Sequence, residues 1–314
     1  MARDGVLFVN LGTPAAPTVP AVRSYLAEFL SDPRVVELPR WLWLPILHGV
    51  ILRVRPARSA RKYALIWTPE GSPLALHTAR QAELLRSALP GVRVEYAMRY
   101  GEPEIASGLA KLSGCERITV LPLYPQYARS TTESVRDCLP GGIRMIEDFH
   151  DHPAYIGALA SSVRRHWDAH GRGEALVMSF HGLPRRAVER GDPYEKQCRA
   201  TASLLASEVG LRASEWKLTF QSRFGAAEWL QPYTQPALVE LARGGLRRVD
   251  VMCPGFVSDC LETLEEIGVE ARRSFLAAGG REFHLLSCLN EAPEWIDALV
   301  RIARDRLGKL SDQA

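Results

Sequence analysis

The sequence lacks the motifs of several large enzyme classes. It contains no GxxxxGK[ST] phosphate loop and no GxGxxG after a predicted strand, although NLGTP (10–14) and EGSPL (70–74) are glycine turns. It also has no GxSxG turn, the motif that carries the nucleophile of an α/β-hydrolase. These absences disfavour nucleotide binding and serine hydrolysis.

Paired cysteines and blocks of like charge are also lacking. None of the six cysteines belongs to a CxxC pair, and their spacing matches no zinc module. The formal net charge is only +3 and the arginines are spread along the chain, so no nucleic-acid-binding surface is predicted. The N-terminus, MARDGVLFVN, does not resemble a signal peptide. These features predict a cytoplasmic chain with free thiols.

Short β-rich runs alternate with helical patterns along all 314 residues, which predicts βαβ units and parallel sheets. We interpret the chain as two α/β lobes of similar build, 1–150 and 151–290. A last helix within 291–314 is expected to pack back across them. The predicted strands are 5–10, 92–100, 117–125, 174–180, 216–224, 247–257 and 282–289.

Polar residues cluster where these strands end. In open parallel sheets, ligands bind outside the carboxyl ends of the strands. Two lobes with matched carboxyl edges are therefore expected to face a shared cleft. The residues at these ends are Asn10, Arg99, Tyr100, Tyr124, Tyr127, His181, Gln221, Arg223 and the run from Ser258 to Glu262.

The sequence SFHGLP places His181 at the end of an apolar run and before a glycine, where a core histidine, a general base and a metal ligand all remain open. The segment 256–270 also has two interpretations. Asp259 and Glu262 fit a capping box at the start of a helix. Alternatively Glu262, Glu266 and Glu270, spaced four apart, form a carboxylate stripe that carries a cation or protons.

The apolar stretch WLWLPILHGVIL (41–52), called here the lip segment, is shorter than the roughly 20 residues that a membrane-spanning helix needs. It is either a core helix or an exposed apolar surface that contacts a membrane or a greasy ligand. The arginines that follow it suit carboxylates or anionic lipid. These arginines are Arg53, Arg55, Arg58 and Arg61.

Taken together, the motifs resemble those of the ferrochelatases, and they occur in that family's order over roughly residues 5–290. The resemblance implies a lyase that inserts Fe²⁺ into protoporphyrin IX in the last step of haem biosynthesis. It also implies a chelatase-like fold of two Rossmann-like lobes, with a porphyrin cleft between them. The matching motifs are VNLGTP, GSPL, MRYGEP, LPLYPQYARSTTES, SFHGLP, RGDPY, FQSRFG, EWLQP, PGFVSDCLETLEEI and SCLN.

The resemblance also implies roles for individual residues. His181 and Glu262 are the expected catalytic pair, facing each other across the macrocycle. The metal is expected to meet these two residues together with Glu266 and Glu270. The expected substrate-binding residues, including Arg53 and Tyr100 from the clusters above, are Asn10, Leu11, Arg53, Arg99, Tyr100, Tyr124, Trp229, Phe256 and Asp259.

Departures from some relatives refine these expectations. Arg129 and the end of the chain at Ala314 lack the cysteines of cluster-containing forms, so no [2Fe–2S] cluster is expected and Fe²⁺ is a substrate only. Leu11 favours protoporphyrin over coproporphyrin, and Cys260 stands where some members carry histidine. The expected enzyme is a monomer or weak dimer, cytoplasmic or peripheral to the inner membrane. A cobalt or nickel chelatase and a non-enzymatic haem carrier are the alternatives.

Overall fold

The computed structural model describes residues 4–308. These residues divide into two compact units. Unit 1 comprises residues 4–124, 128–148 and 300–308, and unit 2 comprises residues 125–127 and 149–299. In each unit, strands and helices alternate along the chain.

Each unit contains a four-stranded parallel sheet, and the two sheets share one topology. With the strands numbered along the chain, the order across the sheet is β2-β1-β3-β4 in unit 1 and β6-β5-β7-β8 in unit 2. In each sheet the first strand in sequence lies inside, and the second forms one edge. This arrangement confirms the predicted α/β class with two similar parallel sheets. The strands are β1 (Asp4–Gly12), β2 (Val92–Tyr100), β3 (Arg117–Pro122), β4 (Arg144–Met145), β5 (Ala175–His181), β6 (Trp216–Gln221), β7 (Arg248–Met252) and β8 (Glu282–Leu285).

Most strand predictions are confirmed in position, but several strands end earlier than predicted. The sequence predicts strands over 117–125, 216–224, 247–257 and 282–289. The structure ends β3, β6, β7 and β8 at Pro122, Gln221, Met252 and Leu285. The apolar residues beyond these ends form loops at the carboxyl edge of each sheet. The two-residue strand β4 is missed because it lies in a segment rich in glycine and proline.

The central strands β1 and β5 are almost completely buried, since helices cover both faces of a parallel sheet. This explains why they are continuous apolar runs rather than alternating patterns. The helices follow the amphipathic rule instead. In α1 (Val19–Ser31) the buried side chains of Val22, Leu26 and Leu30 recur every four residues, and Pro20 occupies its first turn.

The remaining helices pack around the two sheets, and three segments are π-helices, an uncommon form often found at functional sites. In unit 1 they are α2 (Arg40–Ile46), a π-helix (Leu47–Ile51), α3 (Leu52–Ile66), α4 (Pro73–Ala88), α5 (Ile105–Lys111), a π-helix (Arg129–Glu133) and α6 (Ser134–Arg136). The others are α7 (Pro153–His170), α8 (Arg185–Glu189), α9 (Tyr194–Glu208), a 3₁₀ turn (Ala213–Glu215), α10 (Thr234–Arg243), a π-helix (Glu262–Ala271), α11 (Arg272–Ala277) and α12 (Pro293–Gly308).

Candidate active site

His181 is the last residue of β5, so its side chain lies at the carboxyl edge of the unit 2 sheet. Its Nδ1 is 2.7 Å from the carbonyl oxygen of Gly182. Because a carbonyl oxygen only accepts, Nδ1 carries the proton of the neutral ring. Nε2 therefore keeps its lone pair, which is the form that a proton acceptor or a metal ligand requires.

The residue after His181 must be a glycine for steric reasons. A Cβ at Gly182 would lie 2.6 Å from the carbonyl oxygen of Gln221 and 3.1 Å from the indole of Trp229. The close approach brings Trp229 beside the histidine, with 6.5 Å between the two ring centroids. Phe256 lies at a similar distance, 6.4 Å. Two of the predicted substrate-binding residues thus flank the imidazole.

The side chain of Gln221, the last residue of β6, links Ser179 on β5 to Glu262. Its Nε2 donates a 2.7 Å hydrogen bond to the backbone oxygen of Glu262. Its Oε1 accepts a 2.6 Å hydrogen bond from the hydroxyl of Ser179. Gln221 is buried and Glu262 is partly exposed, so the amide fixes the start of the π-helix Glu262–Ala271 against the sheet edge.

Glu266 lies next on the same π-helix and is held by Ser222. Its two carboxylate oxygens accept hydrogen bonds of 2.6 Å from the backbone N–H and the hydroxyl of Ser222. Burial raises the pKa of Glu266, and the nearby Glu262 raises it as well. The hydrogen bonds from Ser222 and the charge of His181 oppose this shift without cancelling it. His181, Glu262 and Glu266 therefore interact electrostatically.

Ser222 is a contact of Glu266 that the sequence did not reveal. Its φ of 65° is in the left-handed region that non-glycine residues seldom adopt. This conformation points both its N–H and its hydroxyl at Glu266. A serine carries no sequence signal for positive φ, which explains why the pattern around Gln221 and Arg223 did not predict it.

The capping box predicted for Asp259 and Glu262 is wrong. The π-helix follows Leu261 and has no side-chain cap. The buried carboxylate of Asp259 instead accepts hydrogen bonds from the Thr263 hydroxyl at 2.9 Å and from Asn290 Nδ2 at 2.7 Å. Asp259 therefore joins the start of this helix to the segment after β8.

The third glutamate of the predicted stripe, Glu270, is partly exposed near the end of the same π-helix. Hydrogen bonds in a π-helix join residues five apart rather than four. The prediction that glutamates four apart share one face was made for an α-helix, and this spacing does not apply to a π-helix. The interaction that the structure supports directly is the one between Glu262 and Glu266.

In unit 1, the predicted substrate-binding residues Asn10 and Leu11 lie in β1. Asn10 is 5% exposed, and its Nδ2 donates to the Thr78 hydroxyl at 2.9 Å. Its Oδ1 accepts the backbone N–H of Leu11, also at 2.9 Å. The side chain of Asn10 thus shapes the end of the strand, while Leu11 is partly exposed.

Arg99 and Tyr100, at the end of β2, belong to a polar network around Asp32. Arg99 Nη2 is 2.6 Å from the Asp32 carboxylate, and the buried Tyr100 hydroxyl donates to it at 2.8 Å. Burial raises the pKa of Asp32, but hydrogen bonds from Ser134, the backbone of Arg34 and Tyr100, with the charge of Arg99, outweigh it and lower the pKa. Both candidates therefore have a structural partner inside unit 1.

Two further candidates of unit 1 differ in exposure. The hydroxyl of Tyr124 is buried and has no hydrogen-bond partner among residues 4–308, and burial raises the pKa of this phenol. Arg53 is exposed on α3. An unpartnered buried hydroxyl is uncommon in proteins, so Tyr124 is the more informative of the two.

The lip segment has one buried and one exposed side. Trp41 is 79% exposed and Leu42 is 43% exposed, so the core-helix interpretation is wrong for these two residues. Trp43 is 7% exposed and its indole N–H donates to the Leu30 carbonyl oxygen at 2.7 Å. The α-helix ends one residue after Pro45, which lacks the N–H needed to continue the hydrogen-bond pattern. Within residues 4–308, no helix combines the length and the apolar character needed to cross a bilayer.

Comparison with solved structures places the fold in a known class. CbiX, described as the terminal enzyme for biosynthesis of sirohaem in denitrifying bacteria, matches 95% of this chain and 98% of its own with a TM-score of 0.50 and 16% identity. DR2241 from Deinococcus radiodurans, described as structurally similar to chelatases, matches 97% of this chain and 55% of its own with a TM-score of 0.52 and 12% identity. Together with the parallel sheets, these matches define an α/β protein of the chelatase fold.

Comparison at the sequence level is more specific. The ferrochelatase family model matches residues 3–307, nearly the whole chain. The ferrochelatase of Azoarcus sp. strain BH72 is 60% identical over 98% of this chain and 88% of its own length. Those of Aromatoleum aromaticum and Bordetella pertussis are 58% and 52% identical, covering 98% and 97% of this chain and 88% of their own lengths. The chain belongs to the ferrochelatase family, which confirms the resemblance found in its motifs.

Proposed function

We propose that the protein inserts Fe²⁺ into protoporphyrin IX to form protohaem, the last step of haem biosynthesis. Membership of the ferrochelatase family supports an iron-inserting lyase. The observation that carries the residue-level proposal is the hydrogen bond between His181 Nδ1 and the Gly182 carbonyl oxygen, which leaves Nε2 of the ring available. The rings of Trp229 and Phe256 flank this imidazole, and His181 influences the pKa of Glu266.

Metallation requires that two pyrrole protons leave the macrocycle as one divalent cation enters. We assign the first acceptor to Nε2 of His181, because Nδ1 is already hydrogen-bonded to Gly182. The raised pKa of Glu266 makes its carboxylate the more basic partner for the next transfer. Glu262 and then Glu270, which are partly exposed like His181 and Glu266, continue this route towards solvent. The protons leave along this series of carboxylates.

The same side chains suit the iron. Fe²⁺ accepts both imidazole and carboxylate ligands. Two protein ligands with open positions hold an ion less tightly than a closed four-ligand site, which lets it be released to a substrate. We assign this transient binding to His181 and Glu262, with Glu266 and Glu270 on the route that reaches them. Fe²⁺ is thus a substrate, and the absence of a [2Fe–2S] cluster remains a prediction.

We assign the porphyrin contacts in unit 2 to Trp229 and Phe256, whose rings flank the imidazole. Asp259 positions the π-helix rather than contacting the macrocycle, because hydrogen bonds from Thr263 and Asn290 already engage its carboxylate. In unit 1 the contacts are assigned to Leu11, Tyr124 and Arg53. Asn10 holds Leu11 through its backbone N–H, and Arg99 and Tyr100 hold the network around Asp32.

We propose that the lip segment contacts the apolar porphyrin substrate and a membrane surface. Trp41, Ile46 and Val50 are apolar and exposed, and the exposed Arg53 lies on the helix that follows. Aromatic and aliphatic side chains flanked by arginine suit the interface of an anionic bilayer. We therefore propose a cytoplasmic enzyme, monomer or weak dimer, that contacts the inner membrane peripherally.

Anaerobic absorbance measurements with Fe²⁺ and a metal-free porphyrin test the function. Conversion of protoporphyrin IX to the metallated product at a rate that depends on protein supports the proposal. Haem binding without conversion would instead identify a carrier. A preference for Co²⁺ and a more carboxylated tetrapyrrole would identify a different chelatase. A parallel assay with coproporphyrin tests the substrate preference inferred from Leu11.

A further inference from the structure

A cluster of histidines around a buried aspartate lies in unit 2, apart from His181. His166 and His170 belong to α7, Asp250 belongs to β7, and His284 belongs to β8. The ring centroid of His166 is 4.8 Å from that of His170 and 5.5 Å from that of His284. Asp250 is 1% exposed. A buried carboxylate requires partners, and here imidazoles surround it.

The strand register separates this cluster from the candidate active site. Asp250 is paired with Leu176 on one side and with His284 on the other. His181 lies five residues beyond Leu176 along β5. At a rise of about 3.3 Å per residue this corresponds to roughly 16 Å along the strand. The cluster is therefore nearer the amino ends of the strands, whereas His181 is at the carboxyl edge.

The two sheet faces explain how the cluster is formed. Val249 and Val251 point into the apolar core that contains Ile267 and Phe275. Alternation along β7 sends Asp250 to the opposite face, which α7 covers. There, Oδ2 of Asp250 accepts hydrogen bonds of 2.8 Å from the indole N–H of Trp167 and from the backbone N–H of Gly173. One carboxylate oxygen is thus anchored, and the orientation of the other is fixed.

The second oxygen has a different environment. Oδ1 of Asp250 and Nε2 of His166 are both buried, and neither has a hydrogen-bond partner within the described part of the chain. They are 3.7 Å apart, which is too far for a hydrogen bond. Each is costly to leave without a partner. Two unsatisfied atoms that face each other at this distance suggest a third atom that both of them bind.

A metal ion fits this spacing. Zinc lies about 2.0–2.2 Å from imidazole nitrogen and carboxylate oxygen, so two of its ligands in a tetrahedral site are roughly 3.4 Å apart. One ligand atom each from His166, Asp250 and His284 lie within 4.8 Å of one another. Small side-chain rotations bring this set to coordination distance. Two imidazoles and one carboxylate are a donor set typical of divalent transition metals.

The charged groups that face the cluster are compatible with a cation. Burial lowers the pKa of His166, and the neighbouring His170, His284 and Arg248 lower it too, while Asp250 opposes them. The positive charge of Arg248 opposes the binding of a cation. Glu282 offsets this charge, because its carboxylate lies 3.6 Å from Arg248 Nη1. The same carboxylate is 3.6 Å from His284 Nε2.

We propose that His166, Asp250 and His284 bind one divalent transition-metal ion, with Zn²⁺ and Co²⁺ as representative species. The ion joins α7 to strands β7 and β8. His170 is outside this ligand set because it is exposed. The site is separate from the proposed iron-insertion chemistry and does not depend on it.

The test measures metal binding to the full chain. Binding of Co²⁺ is monitored by visible absorption, and binding of Zn²⁺ is measured by equilibrium dialysis. A background variant, His181→Ala, isolates the second site. In that background one ion per chain is expected. Asp250→Asn is expected to weaken binding by about 100-fold or more, because it removes a direct ligand. Loss of a residue that only hydrogen-bonds to a metal ligand already weakens binding by about 10–100-fold. His170→Ala is the matched control and is expected to bind normally.

Asp250→Asn is chosen because it preserves the fold. The amide oxygen still accepts from Trp167 and Gly173, and the neutral amide nitrogen takes the place of the oxygen that faces His166 Nε2. Its melting temperature without metal is expected to equal or exceed that of the parent. The parent alone is expected to gain ~5 °C at a Zn²⁺ concentration about 100 times Kd. Porphyrin metallation by Asp250→Asn in the otherwise unaltered chain is expected to be unchanged.

The proposal is overturned if the His181→Ala background binds no ion, or if folded Asp250→Asn binds it with the affinity of the parent. If Asp250→Asn fails to fold, His284→Gln provides the second variant, because its side chain is 27% exposed and its loss leaves the buried aspartate in place. Unchanged affinity in that variant also rejects the site. Loss of binding in either variant with normal binding in His170→Ala supports it.

Discussion

Glu266 holds Ser222 in a left-handed conformation through two hydrogen bonds of 2.6 Å, one from the backbone N–H and one from the hydroxyl. A non-glycine residue at φ 65° is unfavourable and persists when its surroundings over-determine it. Here the carboxylate does so, and the same contact keeps Glu266 beside His181. Backbone strain in one loop thereby positions a group of the candidate active site.

The first prediction concerns the strain at Ser222. Ser222→Gly retains the N–H donor and removes the conformational cost of about 1 kcal/mol, so its stability is expected to match that of the parent. Ser222→Ala loses the hydroxyl donor and retains the strain, and is expected to lose about 1–2 kcal/mol. Urea unfolding of the two variants measures the difference. Equal stability of Ala and Gly variants would mean that the strain is not significant.

The second prediction concerns the base. His181→Ala is expected to reduce metallation by about 10²–10⁴-fold, because a positioned proton acceptor contributes that much. The ring lies at a strand end, so the melting temperature is expected to change little. His170→Ala, at an exposed position on α7, serves as the control and is expected to retain full turnover. Near-normal turnover of His181→Ala would reject the assigned site.

The third prediction compares the three glutamates. Glu262→Gln is expected to lose most activity, while Glu266→Gln and Glu270→Gln show smaller, graded losses. The amide keeps the size of each side chain but removes the charge that attracts the cation and the proton acceptor. Turnover per folded molecule and melting temperature are measured on the same samples. Loss of stability without loss of turnover in Glu262→Gln contradicts the catalytic role.

The fourth prediction uses the raised pKa of Glu266. Because its pKa lies above the usual 4.5, the folded protein binds this proton more tightly than the unfolded chain does. The resulting stability is present below pH 4.5 and is lost as pH rises through the folded pKa. Glu266→Gln does not ionise, so the fall in unfolding free energy as the pH rises above 4.5 is expected to be smaller than in the parent. An identical pH dependence in both proteins would falsify the assignment.

The fifth prediction uses two neighbouring tryptophans of the lip segment. Trp41 is 79% exposed, so Trp41→Ser is expected to leave the melting temperature nearly unchanged while raising KM for protoporphyrin and weakening binding to anionic liposomes. Trp43 is 7% exposed, and Trp43→Ser is expected to cost about 3–5 kcal/mol of stability. If Trp41→Ser is destabilised and still binds porphyrin and liposomes normally, the proposed contact is rejected.

The sequence alone determined seven of the eight strands found in residues 4–308, and the family. Continuous apolar runs such as β1 and β5 are local signals, and a residue that follows such a run lies at the carboxyl edge of a parallel sheet. His181 and Gln221 were placed there on that basis. The order of the motifs along the chain was sufficient to indicate a ferrochelatase, and the family model that matches residues 3–307 confirms it.

Only the tertiary structure determined which of these residues meet. The register of β5, β7 and β8 brings Asp250 beside His166 and His284, although the three are separated by more than thirty residues at each step. Helical spacing predicted an α-helical capping box at Asp259, but the helix there is a π-helix and the carboxylate bonds to Thr263 and Asn290 instead. Contacts of this kind depend on pairing between distant segments, and local periodicity carries no information about that pairing.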